Sequence, residues 1–262
     1  MKLLFLGDIV GKPGRACVRD MLAKIKENYD VQVVIANGEN AAGGNGLTRK
    51  VYDELLSYGI DIVTSGNHIW DKREVLDFID SEPRLLRPVN YPKKTPGRGM
   101  GVFQTPMGPL GVINLSGTVF MPNLDCPFAA VEESLREISR EAGMLLVDFH
   151  AETTSEKIAM GWFLDGRVSA LVGTHTHVQT VDERILPQGT AYITDAGMTG
   201  ALNGVIGVKR KIVLQKFVSK MPVRFEVENK EPYQLNGVVV KVDPAGGKAL
   251  SIERIYDLHP PQ

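Results

Sequence analysis

The sequence predicts an α/β fold assembled from parallel βαβ units. Short apolar runs rich in Val, Ile and Leu stand at 2–7, 31–36, 60–64, 110–115, 144–149, 168–172 and 190–194, with helical patterns between several of them. Runs of that length suit strands covered on both faces, as parallel sheets require. Strand followed by helix, repeated, is the signature of βαβ construction. A third observation concerns function: several runs are followed at once by an acid, an amide or an imidazole.

Taken in order, the first run ends at Gly7-Asp8, and a helix follows in which Val18, Met21, Leu22 and Ile25 recur at i, i+3, i+4, i+7. The second run ends in Gly38-Glu39-Asn40. Thr48 then reads as the N-cap of a helix through Tyr58. The third run leads to Gly66-Asn67-His68, and Asp71 with Glu74 resembles a capping box for a helix over 72–79. Segment 83–109 carries six prolines and reads as a long irregular excursion. Phe128, Val131, Leu135 and Ile138 mark a further helix before the run that ends at His150. The next run ends in Gly173-Thr174-His175-Thr176-His177. From about residue 220 the chain is β-rich: PVRFEVE, YQLNGVVVKVD and ALSIERIYD read as antiparallel strands, with a turn at Pro244-Ala-Gly-Gly.

The chain has 262 residues, 43% of them hydrophobic, and a formal net charge of -1; that length allows two small domains or one larger α/β domain, and a single domain over 1–262 is the expectation. No global basic excess points to duplex nucleic acid. Cys17 and Cys126 form no C-x-x-C pair, which argues against a disulfide framework or structural zinc and for free thiols in a reducing compartment. No stretch approaches the roughly 20 apolar residues of a spanning helix. A cytoplasmic location without membrane contact is the expectation.

In an open α/β sheet, ligands bind at the carboxyl ends of the strands. Asp8, Glu39, Asn40, Asn67, His68, His150, His175 and His177 all fall there, and their types suit hard to borderline metals. In an extended segment His175 and His177 would point to the same side. The set is too large for one ion. Two metals about 3.5–4 Å apart need a bridging carboxylate, and Glu39 is the natural bridge. Such a pair generates hydroxide at neutral pH and clamps both oxygens of an in-line displacement at phosphorus. Thr174, Thr176, Asp148 and Asp195 neighbour these residues as candidate supports. Gly11-Lys12-Pro13-Gly14-Arg15 lacks P-loop spacing and reads equally as a phosphate contact or a tight turn.

The ordered blocks Gly7-Asp8, Gly38-Glu39-Asn40, Gly66-Asn67-His68, His150 and Gly173-Thr174-His175-Thr176-His177 resemble those of the calcineurin-like metallophosphoesterases. Two blocks depart from that pattern: Val10 stands where the wider family has a histidine, and Glu39-Asn40 where it has an aspartate. With GENAAGGNG, GNHIWDK, DFHAETTSEK and YITDAGMTG, they are similar to the YmdB-like branch of cyclic-nucleotide phosphodiesterases, over nearly the whole chain. The resemblance implies a four-layer αββα sandwich, two mixed sheets flanked by helices. It implies one ion on Asp8, Glu39, Asn40 and His177, the other on Glu39, Asn67, His150 and His175, with Asn40 replacing the ligand lost at Val10. Iron or manganese is favoured, with zinc compatible. His68 would protonate the leaving oxygen, and the substrate would be a 2',3'-cyclic nucleotide or another small phosphodiester. Other readings are a metal-dependent amidohydrolase, which the order of acid and His-x-His counts against, and a regulatory or scaffold protein acting on RNA metabolism. An RNA-related substrate and a homo-oligomer are further expectations.

Overall fold

A computed structural model describes residues 1–259 of the chain. In β1 (Lys2–Leu6) the side chains alternate, Leu3 and Phe5 entering one core and Leu4 and Leu6 another. Period-2 alternation with both faces apolar is what a strand buried on both sides needs. After β2 (Asp8–Ile9), α1 (Gly11–Tyr29) lays Cys17, Val18, Leu22 and Ile25 over Leu4 and Leu6. β3 (Val33–Asn37), α2 (Arg49–Ser57) and β4 (Ile62–Thr64) extend the layer. Thr48 caps α2 as expected, its hydroxyl accepting from Val51 N at 3.3 Å.

A second sheet is built from β5 (Met100–Thr105), β6 (Gly108–Ser116), β7 (Met144–His150), β8 (Ala170–Thr174), β9 (Arg184–Ile185) and β10 (Ala191–Ile193), with α3 (Pro127–Ile138) and α4 (Thr154–Leu164) between its strands. The chain then returns to the first sheet through β11 (Met198–Ala201), α5 (Arg210–Ser219), β12 (Tyr233–Val242) and β13 (Ala249–Leu258). The strand orders are β2-β11-β12-β1-β3-β4, with β13 on β12, and β5-β6-β7-β8-β10-β9.

Three apolar cores define four layers. α1 and α2 cover the first sheet. Leu3, Phe5, Val33, Ile35, Val238 and Val240 meet Leu110, Val112, Leu146 and Val172 between the sheets. Val131, Leu135, Met160 and Leu164 of α3 and α4 cover the second sheet. This is the αββα sandwich, and its two open sheets exclude the barrel that the amidohydrolase reading requires.

Local expectations fail at three places. Asp71 and Glu74 form no capping box: 73–77 is a 3₁₀ turn without a side-chain cap, and Glu74 instead accepts from Arg49 N at 2.9 Å, serving α2. The Pro-rich excursion contains β5, paired antiparallel with β6, because its prolines flank rather than interrupt 100–105. PVRFEVE is not a strand; Val227 makes only an isolated bridge to Val208, since β12 already has β11, β1 and β13 for neighbours. Among the described residues no helix is long and apolar enough to cross a membrane.

Candidate metal centre

β1, β3 and β4 are parallel in one sheet, and β7 and β8 are parallel in the other. Their carboxyl ends open onto one cleft between the sheets, where residues from 8 to 177 converge. Glu39, His150 and His175 each offer an atom within 4.8 Å of the others. His150 Nε2 lies 3.1 Å from Glu39 Oε1, 3.1 Å from Asn67 Oδ1 and 3.0 Å from His175 Nδ1. Beside this group, Asp8 Oδ1 lies 3.9 Å from His150 Nδ1 and 3.8 Å from His177 Nε2. Asn40, next in sequence to Glu39, is buried, its Nδ2 donating to Gly44 O at 3.1 Å so that Oδ1 is the free end.

The supporting hydrogen bonds fix which nitrogen each ring presents. His177 Nδ1 donates to Ile206 O at 3.0 Å, leaving the Nε2 lone pair toward Asp8. The Thr174 hydroxyl donates to Asp148 Oδ1 at 2.7 Å and therefore accepts from His150 Nδ1 at 2.9 Å. That leaves His150 Nε2 facing Glu39 and Asn67. Metal-binding histidines are ordinarily held in this way by a partner on the other nitrogen.

The His-x-His segment is not extended. β8 stops at Thr174, and His175 and His177 have φ of 98° and 66°, the left-handed region that non-glycine residues rarely occupy. Their rings reach the cleft through this turn rather than through strand alternation. Asp195 holds the turn: its Oδ2 accepts from Thr176 N at 3.1 Å, Thr176 Oγ1 at 2.7 Å and Lys157 Nζ at 2.6 Å. Lys157 and Asp195 are both fully buried, so the pair also neutralises a charge that could not stand alone there.

Gly66 is required by close approach. A Cβ there would lie 2.2 Å from His150 Cδ2 and 2.5 Å from Glu39 Oε2. His68 follows, its backbone N donating to Glu39 Oε2 at 3.0 Å while its ring Nδ1 lies 2.8 Å from Asp71 Oδ2. The ring is 39% exposed, unlike the buried side chains of Asp8, Glu39 and His150. Asp71 also accepts from Asn45 Nδ2 at 2.8 Å.

Burial dominates the electrostatics. It raises the Asp8 carboxyl above the usual range. Burial opposes charge on Glu39 too, but the adjoining His150 imidazole outweighs it and holds that carboxyl low. In the same pair burial pulls His150 down and Glu39 pulls it up further, so the ring stays protonated well above its ordinary range. His175 is pushed down to about 3, first by burial and then by His150. Burial lifts Asp148 to about 7.

The eight residues expected from sequence are thus brought to one end of the sandwich, with Glu39, Asn67, His150 and His175 in closest contact. His259 lies elsewhere, its Nε2 2.9 Å from Asp20 on α1. Sequence reasoning missed Asn37, Asp71, Glu152 and Lys157. Asn37 Nδ2 donates to Asp148 Oδ2 at 3.1 Å, and Glu152 Oε2 sits 2.9 Å from His175 Nε2. Asn37, Glu152 and Asp71 lie two or three residues from Glu39, His150 and His68, which was the available signal. Lys157, inside α4, carried none.

A two-sheet sandwich with helices outside and acid, amide and imidazole groups at its strand ends is a metallophosphoesterase-type fold. The chain belongs to the YmdB-like protein family, whose sequence profile matches residues 4–255. It is 50% identical over 255 residues to the 2',3'-cyclic-nucleotide 2'-phosphodiesterase of Bacillus subtilis, covering 97% of this chain and 96% of that one. A crystal structure of a hypothetical protein from Thermus thermophilus is 40% identical with a TM-score of 0.93, covering 99% of this chain and 100% of that one. A crystal structure described as a novel phosphatase from Mycoplasma pneumoniae is 38% identical with a TM-score of 0.93, covering 98% of this chain and 93% of that one.

Proposed function

We propose that this phosphoesterase hydrolyses small phosphodiesters, 2',3'-cyclic nucleotides foremost, at a centre of two metal ions. The observation that carries the reading is a pair of oxygens. Asp8 Oδ1 and Asn40 Oδ1 are buried and have no hydrogen-bond partner among the described residues, and Glu39 Oε1 faces the His150 imidazole at 3.1 Å. Each such orphan costs about 1–3 kcal/mol, so two beside a buried carboxylate are sustained only if something else satisfies them. Cations do, and the neighbouring imidazoles complete a mixed N/O donor set suited to iron or manganese, with zinc compatible.

Asp8, Glu39, Asn40 and His177 hold one ion, and Glu39, Asn67, His150 and His175 hold the other, with Glu39 common to both. When bound, such a pair supplies hydroxide at neutral pH and offsets charge on the phosphoryl oxygens. Thr174 and Ile206 keep His150 and His177 in the tautomers the ligand role needs. Asn67 and His68 stand where the GNH loop meets the cleft. Asp71 takes the Nδ1 proton of His68 into a hydrogen bond and leaves Nε2 for the substrate, which supports the reading that His68 protonates the departing ribose oxygen.

The test is metal analysis of the protein saturated with Mn or Fe, coupled to assays on bis-p-nitrophenyl phosphate, p-nitrophenyl phosphate and 2',3'-cyclic nucleotides. Two ions per chain and metal-dependent diester cleavage are expected. Fewer than two ions, or no such cleavage, overturns the reading. The relative named as a 2',3'-cyclic-nucleotide 2'-phosphodiesterase supports the choice of substrate.

A further inference from the structure

We infer that a cavity beside His177 is the nucleobase subsite of this enzyme. The cavity measures about 320 Å³ and is lined in part by His177, Met198, Ile206, Asn236, Arg254 and Tyr256. It adjoins the metal centre through His177, which forms part of its wall and whose Nε2 lies 3.8 Å from Asp8 Oδ1.

The topology explains why a cavity forms here. Gln234, Asn236, Val238 and Val240 alternate onto one face of β12. Val238 and Val240 fill the core between the sheets. Asn236 lies one step beyond the Leu6–Gly237 pairing, at the end where Gly7 and Asp8 leave β1. The inter-sheet space therefore ends against amides rather than valines. Tyr256 stands directly opposite Asn236 on β13, and Arg254 opposite Val238, so both share that face.

The chemistry of the lining selects the ligand. Asn236 is 2% exposed, yet its Oδ1 has no hydrogen-bond partner among the described residues. A buried, unspent amide end is costly in an empty protein and useful only toward a partner with complementary polar edges. Met198 and Ile206 supply apolar walls, and Tyr256, 53% exposed, supplies an aromatic face at the rim. The Arg254 Nε faces Glu183 Oε2 at 2.7 Å, which anchors the side chain along that rim. A flat heteroaromatic ring with donors and acceptors on its edge satisfies all of these, and an alkyl or p-nitrophenyl group leaves Asn236 unpaired. Ile206 joins the two sites: its carbonyl orients His177 while the residue lines the cavity.

The assignment rests on the phosphodiesterase reading, and two measurements separate the two. Protein loaded with diamagnetic Zn²⁺ is titrated with adenosine while the side-chain amide resonances of Asn236 and Gln234 are followed. Saturable shifts at Asn236 are expected, with affinity reduced about tenfold or more in Tyr256→Ala, the scale of one lost base-stacking contact. In the metal-loaded enzyme, the ratio of kcat/KM for 2',3'-cyclic AMP to that for methyl p-nitrophenyl phosphate falls about tenfold in Tyr256→Ala and in Asn236→Ala. Adenosine that leaves the Asn236 resonances in place, or variants that lower both substrates by one factor, overturns the subsite. Adenosine binding at Asn236 in an enzyme that cleaves no diester retains the subsite and overturns the phosphodiesterase reading.

Discussion

Gly66→Ala tests whether the GNH loop is geared to the metal centre by backbone contact. The new methyl would lie 2.2 Å from His150 Cδ2, 2.3 Å from His150 Nε2 and 2.5 Å from Glu39 Oε2. Ordinary contact begins near 3.4 Å, so the loop and the two ligands must separate by about 1 Å. Neither can yield alone: His150 is held by Thr174, and Glu39 receives His68 N. Metal sites tolerate errors of only about 0.2 Å in ligand distance, so the ion on Glu39, Asn67, His150 and His175 is expected to be lost or weakened at least about 100-fold. Isothermal titration of metal-free protein with Mn²⁺, with circular dichroism to confirm folding, should show the site on Asn67, His150 and His175 lost and, because Glu39 is shared, the other weakened relative to the parent. Two ions bound to a folded Gly66→Ala protein with parental affinities would refute the reasoning.

Four further outcomes are expected. His68→Ala retains two ions by metal analysis but lowers kcat by about 10²–10⁴, the usual range for a positioned acid; loss of metal with full activity per remaining ion would reverse its role. Glu39→Gln lowers the affinity for both ions, because the carboxylate is shared, and a titration showing one unaffected site would contradict the bridge. Lys157→Met leaves Asp195 buried without its cation and costs about 3–5 kcal/mol of stability in urea melts; a change under about 1 kcal/mol would show that the pair does not hold the His175–His177 turn. Metal binding must displace the proton that Glu39 keeps on His150. Mn²⁺ affinity should therefore keep rising with pH above neutrality, by about tenfold per unit per proton released, until it passes the raised His150 value. A pH-independent affinity between about pH 7 and pH 8.5 would show that His150 is already neutral.

The same His150 has an opposite sign for metal-free stability. Its folded pKa lies above the unfolded value, so its contribution is fully present below the ordinary histidine range and disappears as pH rises through the folded value. Asp148 has the same sign over a lower window, since burial lifts it from an ordinary 3.8 to about 7, so its loss is complete near neutrality. Metal-free protein is thus expected to lose stability over the range in which metal affinity increases.

The strands that carry the site were legible because burial on both faces demands unbroken Val, Ile and Leu runs, which few other elements produce. α4 and α5 were not. α4 buries Glu156 and Lys157 among its apolar residues, so its polar pattern contradicts its position. α5 leaves Leu214, Phe217 and Val218 exposed, so its apolar pattern does. β11 is four residues long and owes its place to β2 and β12 rather than to its own composition.

For the site, residue type and position at a strand end carried the information, whereas the geometry that makes it work did not show. His175 and His177 converge through two left-handed residues, and nothing in the letters His-Thr-His distinguishes that turn from an extended strand. What makes the turn possible lies elsewhere: Gly173, where a Cβ would sit 1.8 Å from Thr194 O, and Asp195 with Lys157, which hold Thr176 between the two histidines. Those partners come from α4 and the segment after β10, in contact with the site only after both sheets have closed. The candidate ligands could be proposed one by one because metal chemistry restricts their types, while their supports are ordinary polar residues whose meaning arises from the fold.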